Sequence, residues 1–231
     1  MEIYGIQKTT LVDFPGHVAT TLFTGGCNFR CPYCHNSDLI QSLDEVEPYS
    51  MEEVFSHLEK RKGVLEGVVI SGGEPTIHPD LPDFIRKVKD MGYLVKLDTN
   101  GTNPKMLKAL VEEGLVDYVA MDIKHSRVKY PTIACNPNLN MDDILESVDY
   151  LKGNHVDYEF RTTLCVELHR ETDITAIGLW LAGAKAYYLQ PYKESDRVLQ
   201  PGFHPHSKEK LQDFVKVLSV FVEKVEIRGL D

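Results

Sequence analysis

The sequence predicts an α/β fold, a partial (β/α)6-type open barrel with parallel strands, with residues 1–231 forming one domain. Three observations predict it. Short β-rich runs alternate with amphipathic helical runs, the pattern of βα units joined by right-handed crossovers. About six to seven such units are present, too few for a closed eight-stranded barrel. The chemically loaded residues gather where strands end, the face on which barrels of this kind carry their function.

The strand-like runs, in order, are VATTLF (18–23), GVVIS (67–71), YLVKLDT (93–99), DYVAMDI (117–123), DYEFRTTL (157–164), AYYLQ (186–190) and VEIR (225–228). Each is rich in β-branched or aromatic residues, and several are bounded by Gly, Pro or Asn. The helical runs carry their own punctuation. Ser50 precedes MEEVFSHLEKRK with Glu53 three residues on, a capping box. Asp80 opens DLPDFIRKVKDMG and Gly92 closes it; Asn103 and Pro104 open NPKMLKALVEEG and Gly114 closes it. NMDDILESVDYLKG, TDITAIGLWLAG and HSKEKLQDFVKVLSVFVEK complete the series, and the Tyr and Phe of these helices read as core.

Composition narrows the function. An apolar share of 42%, a charged share of 26% and a net charge of −10 describe a globular protein that repels phosphate backbones. Nucleic acid and anionic membranes are therefore not expected partners. No apolar run approaches the length of a spanning helix, and the N-terminus lacks a secretory pattern, so a cytoplasmic location is expected.

The strand ends read TGGC (24–27), SGGEP (71–75), DTNG (98–101), DIKH (122–125), Arg161 and LQPY (189–192). Within the loop 24–38, TGGCNFRCPYCHNSD, three thiols stand in C-x3-C-x2-C spacing: Cys27, Cys31 and Cys34. Five cysteines, an odd number unevenly spread, argue against a disulfide framework. A structural zinc site wants four ligands, usually as two separated pairs, and no second pair follows. A [4Fe–4S] cluster fits better, because three thiolates ligate three irons and leave the fourth open to a ligand. Cys135 and Cys165 lack a partner spacing and read as structural.

CNFRCPYC, with an aromatic before its last cysteine, resembles the cysteine motif of the radical S-adenosylmethionine (SAM) enzymes, and GGEP on the next βα loop strengthens the match. HN after the last cysteine and VDFPG upstream are similar to the activating enzymes of glycyl radical enzymes, above all the activators of anaerobic ribonucleoside-triphosphate reductase. The resemblance is dense from Leu11 to Lys124 and thins to the fold afterwards. It departs at Ser37, where these activases commonly have proline, and the ferredoxin-like insert of some activases is absent.

The resemblance implies a radical SAM fold and reductive cleavage of SAM at a [4Fe–4S] cluster, followed by hydrogen abstraction from a glycine of a partner enzyme. It implies cluster ligation by Cys27, Cys31 and Cys34, with no side chain acting as acid or base. It implies contacts to SAM from Tyr33, Asn36, Gly72, Gly73, Glu74, Asp98, Asn100 and Lys124, Glu74 lying where the amino group is received. The glycines would let a ligand approach the backbone closely. Asp98, Thr99 and Asp122 would hold a monovalent cation, or else form a plain ion-pair network with Lys124. Asp13 and Arg161 would meet the partner, Asp13 otherwise serving a turn and Arg161 a surface ion pair. His35 either joins the adenine contacts or caps the loop. A flavodoxin- or ferredoxin-type protein would donate the electron. The rival readings are a radical SAM enzyme acting on a small molecule, similar to 7-carboxy-7-deazaguanine synthase, and a non-enzymatic iron–sulfur or zinc module.

Overall fold

The computed structural model describes residues 1–230. Eight strands form one sheet in strictly sequential order: β1 (Ile3–Thr10), β2 (Ala19–Thr24), β3 (Gly67–Gly72), β4 (Leu94–Thr99), β5 (Tyr118–Asp122), β6 (Asp157–Leu164), β7 (Ala186–Pro191) and β8 (Lys224–Ile227). All neighbours from β2 to β8 are parallel, while β1 returns antiparallel along β2. β1 and β8 do not pair, so the barrel stays open along one side. Six βα units followed by β8 account for the predicted open barrel.

The helices follow between the strands: α1 (Asp38–Gln41), α2 (Met51–Lys60), α3 (Leu81–Asp90), α4 (Pro104–Glu112), α5 (Tyr130–Ala134), α6 (Met141–Lys152), α7 (Glu171–Trp180) and α8 (Lys208–Leu218). Several begin as their sequences dictate. Ser50 and Glu53 form the reciprocal capping box of α2, and Asn103 caps α4 by accepting from the Met106 amide at 3.1 Å. Asp80 precedes α3 but makes no side-chain cap, because its carboxylate takes the Met1 amino group.

Two features depart from the sequence reading. β1 was not expected; its polar outer residues Gln7, Lys8 and Thr9 weaken the apolar signal of an edge strand. The last helix stops at Leu218, leaving Phe221 and Val222 to pack outside it.

Period-two alternation sorts the strand residues. Val68, Ile70, Val95, Leu97, Val119, Met121 and Phe160 face the helices and join the main core. The alternate residues, in register across the sheet, face the concave side: Lys96 and Asp98 on β4, Asp122 on β5, Glu159 and Arg161 on β6. The concave side of this barrel is thus charged, and the site opens at its C-terminal end.

Candidate active site

The cysteine loop leaves β2 at Thr24 and folds over the end of β3. A Cβ on Gly72 (φ +122°) would collide with the Thr24 backbone, and one on Gly73 would run into the Gly26 carbonyl. The two glycines are therefore needed by the cysteine loop itself, a role the sequence reading did not give them, and both also line the cavity. The Gly73 amide donates to Thr24 (3.0 Å) and the Glu74 amide to Gly26 (2.8 Å), which clip the two loops together.

A cavity of 240 Å³ opens above this junction. Cys27, Cys31 and Cys34 line it together with Tyr33, His35, Asn36, Gly72, Gly73, Glu74, Asp98, Thr99, Asn100, Asp122, Lys124 and Arg161. The structure thus gathers every expected site residue around one space except Asp13. Burial, with the Glu74 charge adding to it, raises the Cys27 thiol to about 11, and burial raises Cys31 to about 12. Thiols so placed lose their protons readily only to a bound metal. Among the described residues no three His, Cys, Asp or Glu side chains converge on a point fit for a single metal ion. Three cysteines around a common cavity suit a polynuclear cluster, to which each thiolate would offer one bond. The donor set fits the expected [4Fe–4S] group.

Glu74 is held by its own neighbours. Its carboxylate is 1% exposed and accepts four bonds: from the Thr76 amide (3.0 Å) and hydroxyl (2.6 Å), the Thr99 hydroxyl (2.7 Å) and the Asn100 amide (2.6 Å). Burial raises its pKa although these bonds oppose the shift. The side chain is thus a staple between the β3 and β4 loops, with three of the bonds on Oε1 and only the Asn100 amide on Oε2, and it also lines the cavity.

Asp98 and Asp122 stand on neighbouring strands, bridged by Arg161, whose Nε lies 2.9 Å from Asp122 and whose Nη1 lies 3.3 Å from Asp98. Lys96 adds a second cation at Asp98, and Lys124 one at Asp122 (3.1 Å). Burial works against these carboxylates, but Arg161 and Lys96 still lower Asp98, and Arg161 and Lys124 lower Asp122 to about 2. Thr99, meanwhile, gives its hydroxyl to Glu74. Side-chain cations therefore occupy the place expected for a monovalent cation, and Arg161 is an inner residue rather than a surface one, 13% exposed.

The remaining wall is ordered by polar contacts. Asn36 donates to the Gly72 carbonyl at 3.1 Å. Asn100 donates to Asn28 at 2.8 Å and approaches Cys27 Sγ at 4.0 Å. Tyr33 is buried, its hydroxyl donating to the Lys124 carbonyl (3.3 Å). His169 supports the same carbonyl: its Nδ1 accepts from the Cys165 amide (3.2 Å), so its Nε2–H donates to Lys124 (3.1 Å). Burial, aided by the neighbouring His125, lowers His169 to about 4. Sequence reasoning missed His169 because nothing in its spacing ties it to residue 124. His35 donates to the Lys193 carbonyl at 2.5 Å, the loop-holding alternative of its two expected roles. Asp13 lies in the β1–β2 connection at the far end of the sheet and accepts from Thr21 at 2.8 Å.

Comparison with known proteins bears on the family and the fold. The sequence profile of the radical SAM superfamily matches residues 21–177. A protein of Methanocaldococcus jannaschii, provisionally named a glycyl-radical enzyme activating enzyme, is 32% identical over 99% of this chain and 96% of its own length. The pyruvate formate-lyase-activating enzyme of Clostridium pasteurianum is 32% identical over 64% of this chain and 63% of its own. Among solved structures, QueE from Escherichia coli superposes with a TM-score of 0.58 over 99% of this chain and 94% of its own; at 17% identity it shares the fold alone.

Proposed function

The chain belongs to the radical SAM superfamily and, within it, to the glycyl-radical enzyme activating enzymes, and from that premise we propose that it installs a radical on a backbone glycine of a partner enzyme. The partner that the sequence resemblance favours is anaerobic ribonucleoside-triphosphate reductase, with a flavodoxin- or ferredoxin-type protein supplying the electron. The family's cofactors, a [4Fe–4S] cluster and SAM, together supply reductive cleavage of the sulfonium and a carbon radical able to abstract hydrogen.

The chain's own residues bind, orient and exclude water. Cys27, Cys31 and Cys34 would hold three irons of the cluster. Tyr33, Asn36, Gly72, Gly73, Asn100 and Lys124 would form the wall against SAM, and the Lys124 ammonium and the Arg161 guanidinium would offer charge to its carboxylate. Asp98 faces the same space from β4. A monovalent cation is not part of the proposal, since Arg161 and Lys124 already neutralise the carboxylates that would bind it.

The observation that carries the partner reading is the unpaired side of the barrel between β1 and β8. It offers a polypeptide loop an entrance to the charged cavity that Arg161 lines, with Asp13 in the β1–β2 connection at the opposite end of the sheet. An arriving loop then supplies the water exclusion that a small-molecule enzyme builds for itself.

The test is anaerobic incubation of the reduced protein with SAM and the anaerobic ribonucleotide reductase of the same organism. A glycine-centred doublet in the electron paramagnetic resonance spectrum is expected, and none with Cys31→Ala. Turnover of a small metabolite, with no such signal from any glycyl radical enzyme of that organism, would refute the proposal.

A further inference from the structure

The connection between β7 and α8 runs from Tyr192 to Ser207 without a helix or strand, far beyond the roughly 2–6 residues usual for a βα turn. Both of its ends are tied to the barrel. The Tyr192 amide donates to Leu164 at 3.2 Å, and the Val166 amide donates to His204 at 2.9 Å. Between these anchors the segment crosses the outer side of the cysteine loop and bonds it repeatedly. The Leu199 amide donates to the carbonyl of Cys34 (3.0 Å) and the Gln200 amide to that of Pro32 (2.8 Å). Ser37 answers from the loop side, its amide (3.3 Å) and hydroxyl (2.7 Å) both donating to Arg197. His35 adds its bond to Lys193, and its ring lies 5.3 Å from that of Tyr192.

The three thiols are thus held unequally. The chain around Cys27 and Cys31 is bonded to the body of the barrel, through Gly26 to Glu74 (2.8 Å) and through Arg30 to Ala134 (2.9 Å). The carbonyl of Cys34 is bonded to the crossing segment.

We propose that residues 192–204 act as a clasp that positions Cys34 and so governs how tightly an iron–sulfur cluster is retained. The clasp rests on the reading of Cys27, Cys31 and Cys34 as cluster ligands. Opening it frees Pro32–Ser37 on its outer side and exposes one of three ligands to competing chelators, while the other two stay fixed. Ser37 is the positioning residue, since it contributes two of the bonds from the loop side.

Ser37→Pro tests this directly. Ser37 sits at φ −58°, close to the proline value of about −65°, so the ring fits the backbone while both bonds to Arg197 are removed. Two measurements are made: hydrogen exchange at Leu199 and Gln200 in cluster-free protein, and anaerobic iron loss to a ferrous chelator from cluster-loaded protein. The variant is expected to exchange faster at both amides and to lose iron about tenfold faster, with an unchanged melting midpoint. Ser37→Thr, which keeps both donors, should restore the wild-type rates. Ser37→Ala, which removes only the hydroxyl bond, should fall between and serves if the proline variant does not fold.

Faster exchange with a wild-type rate of iron loss would make the segment a structural strap only and overturn the clasp. Unchanged exchange would overturn the role of Ser37 as its fastening. Wild-type protein that holds no cluster would instead defeat the ligand reading beneath the proposal, an outcome distinct from either.

Discussion

Replacing Glu74 with alanine removes a carboxylate that serves four donors at once, two of them hydroxyls that can turn elsewhere and two of them backbone amides that cannot. A buried donor left without a partner costs about 1–3 kcal/mol. The amides of Thr76 and Asn100, with smaller losses from the hydroxyls of Thr76 and Thr99, therefore bring the expected destabilisation to about 3–5 kcal/mol. That is a large part of the roughly 5–15 kcal/mol typical of a folded domain. Glu74→Gln keeps one acceptor oxygen but presents an amide to at least one donor, so about 1–2 kcal/mol is expected. Urea unfolding of the cluster-free chain under anaerobic conditions measures both. SAM affinity of the loaded protein should fall in the same order as stability, because the staple acts by holding the β3 and β4 loops. A Glu74→Ala variant that keeps wild-type stability but loses SAM binding would refute the staple and return Glu74 to direct contact with the ligand.

Two further outcomes follow from the site. Cys27→Ala, Cys31→Ala and Cys34→Ala should each abolish the binding of about four irons by anaerobically prepared protein, whereas Cys135→Ala and Cys165→Ala should retain it; iron analysis decides, and stoichiometric zinc in the wild type would contradict the cluster. His169 makes stability depend on pH. Its folded value of about 4 lies below the ordinary 6.5, so between those values the unfolded chain binds more protons and stability rises with pH, levelling above 6.5. Lowering the pH from 7.5 to 5 should cost the wild type about 2 kcal/mol beyond His169→Gln, and equal losses in urea unfolding would exclude this cause.

The βα rhythm, the open barrel and the three thiols were legible because each is a local pattern: a period, a cap or a spacing. What the sequence could not disclose is which bonds a functional side chain spends on its neighbours. Glu74 in GGEP reads as a ligand contact, and nothing in that motif discloses the four bonds its carboxylate accepts from Thr76, Thr99 and Asn100, the latter two more than twenty residues away. Lys96 and Glu159 are charged yet fully buried, because only the closing curvature decides which face of a strand becomes the inside. The clasp was hidden for another reason. Its bonds come chiefly from backbone groups of an irregular segment, and irregular backbone has no periodic signature.

The charged interior and the open side of the barrel are one property seen twice. In a closed barrel the inward residues of the strands pack in apolar layers. Here the inward row carries Lys96, Asp98, Asp122, Glu159 and Arg161, a set whose burial without water or partners would be prohibitive. Ion pairs offset part of that cost: Arg161 spans Asp98 and Asp122, and Arg228 forks onto Glu159 at 2.6 and 2.8 Å. Lys96 and Glu159 are buried outright, whereas Asp98, Arg161 and Asp122 keep some access to solvent at the cavity, or to a polar chain that takes the place of solvent. Fixed dipoles and charges already paired need little reorganisation when such a chain arrives, which is the condition under which a reactive centre can be enclosed quickly and opened again.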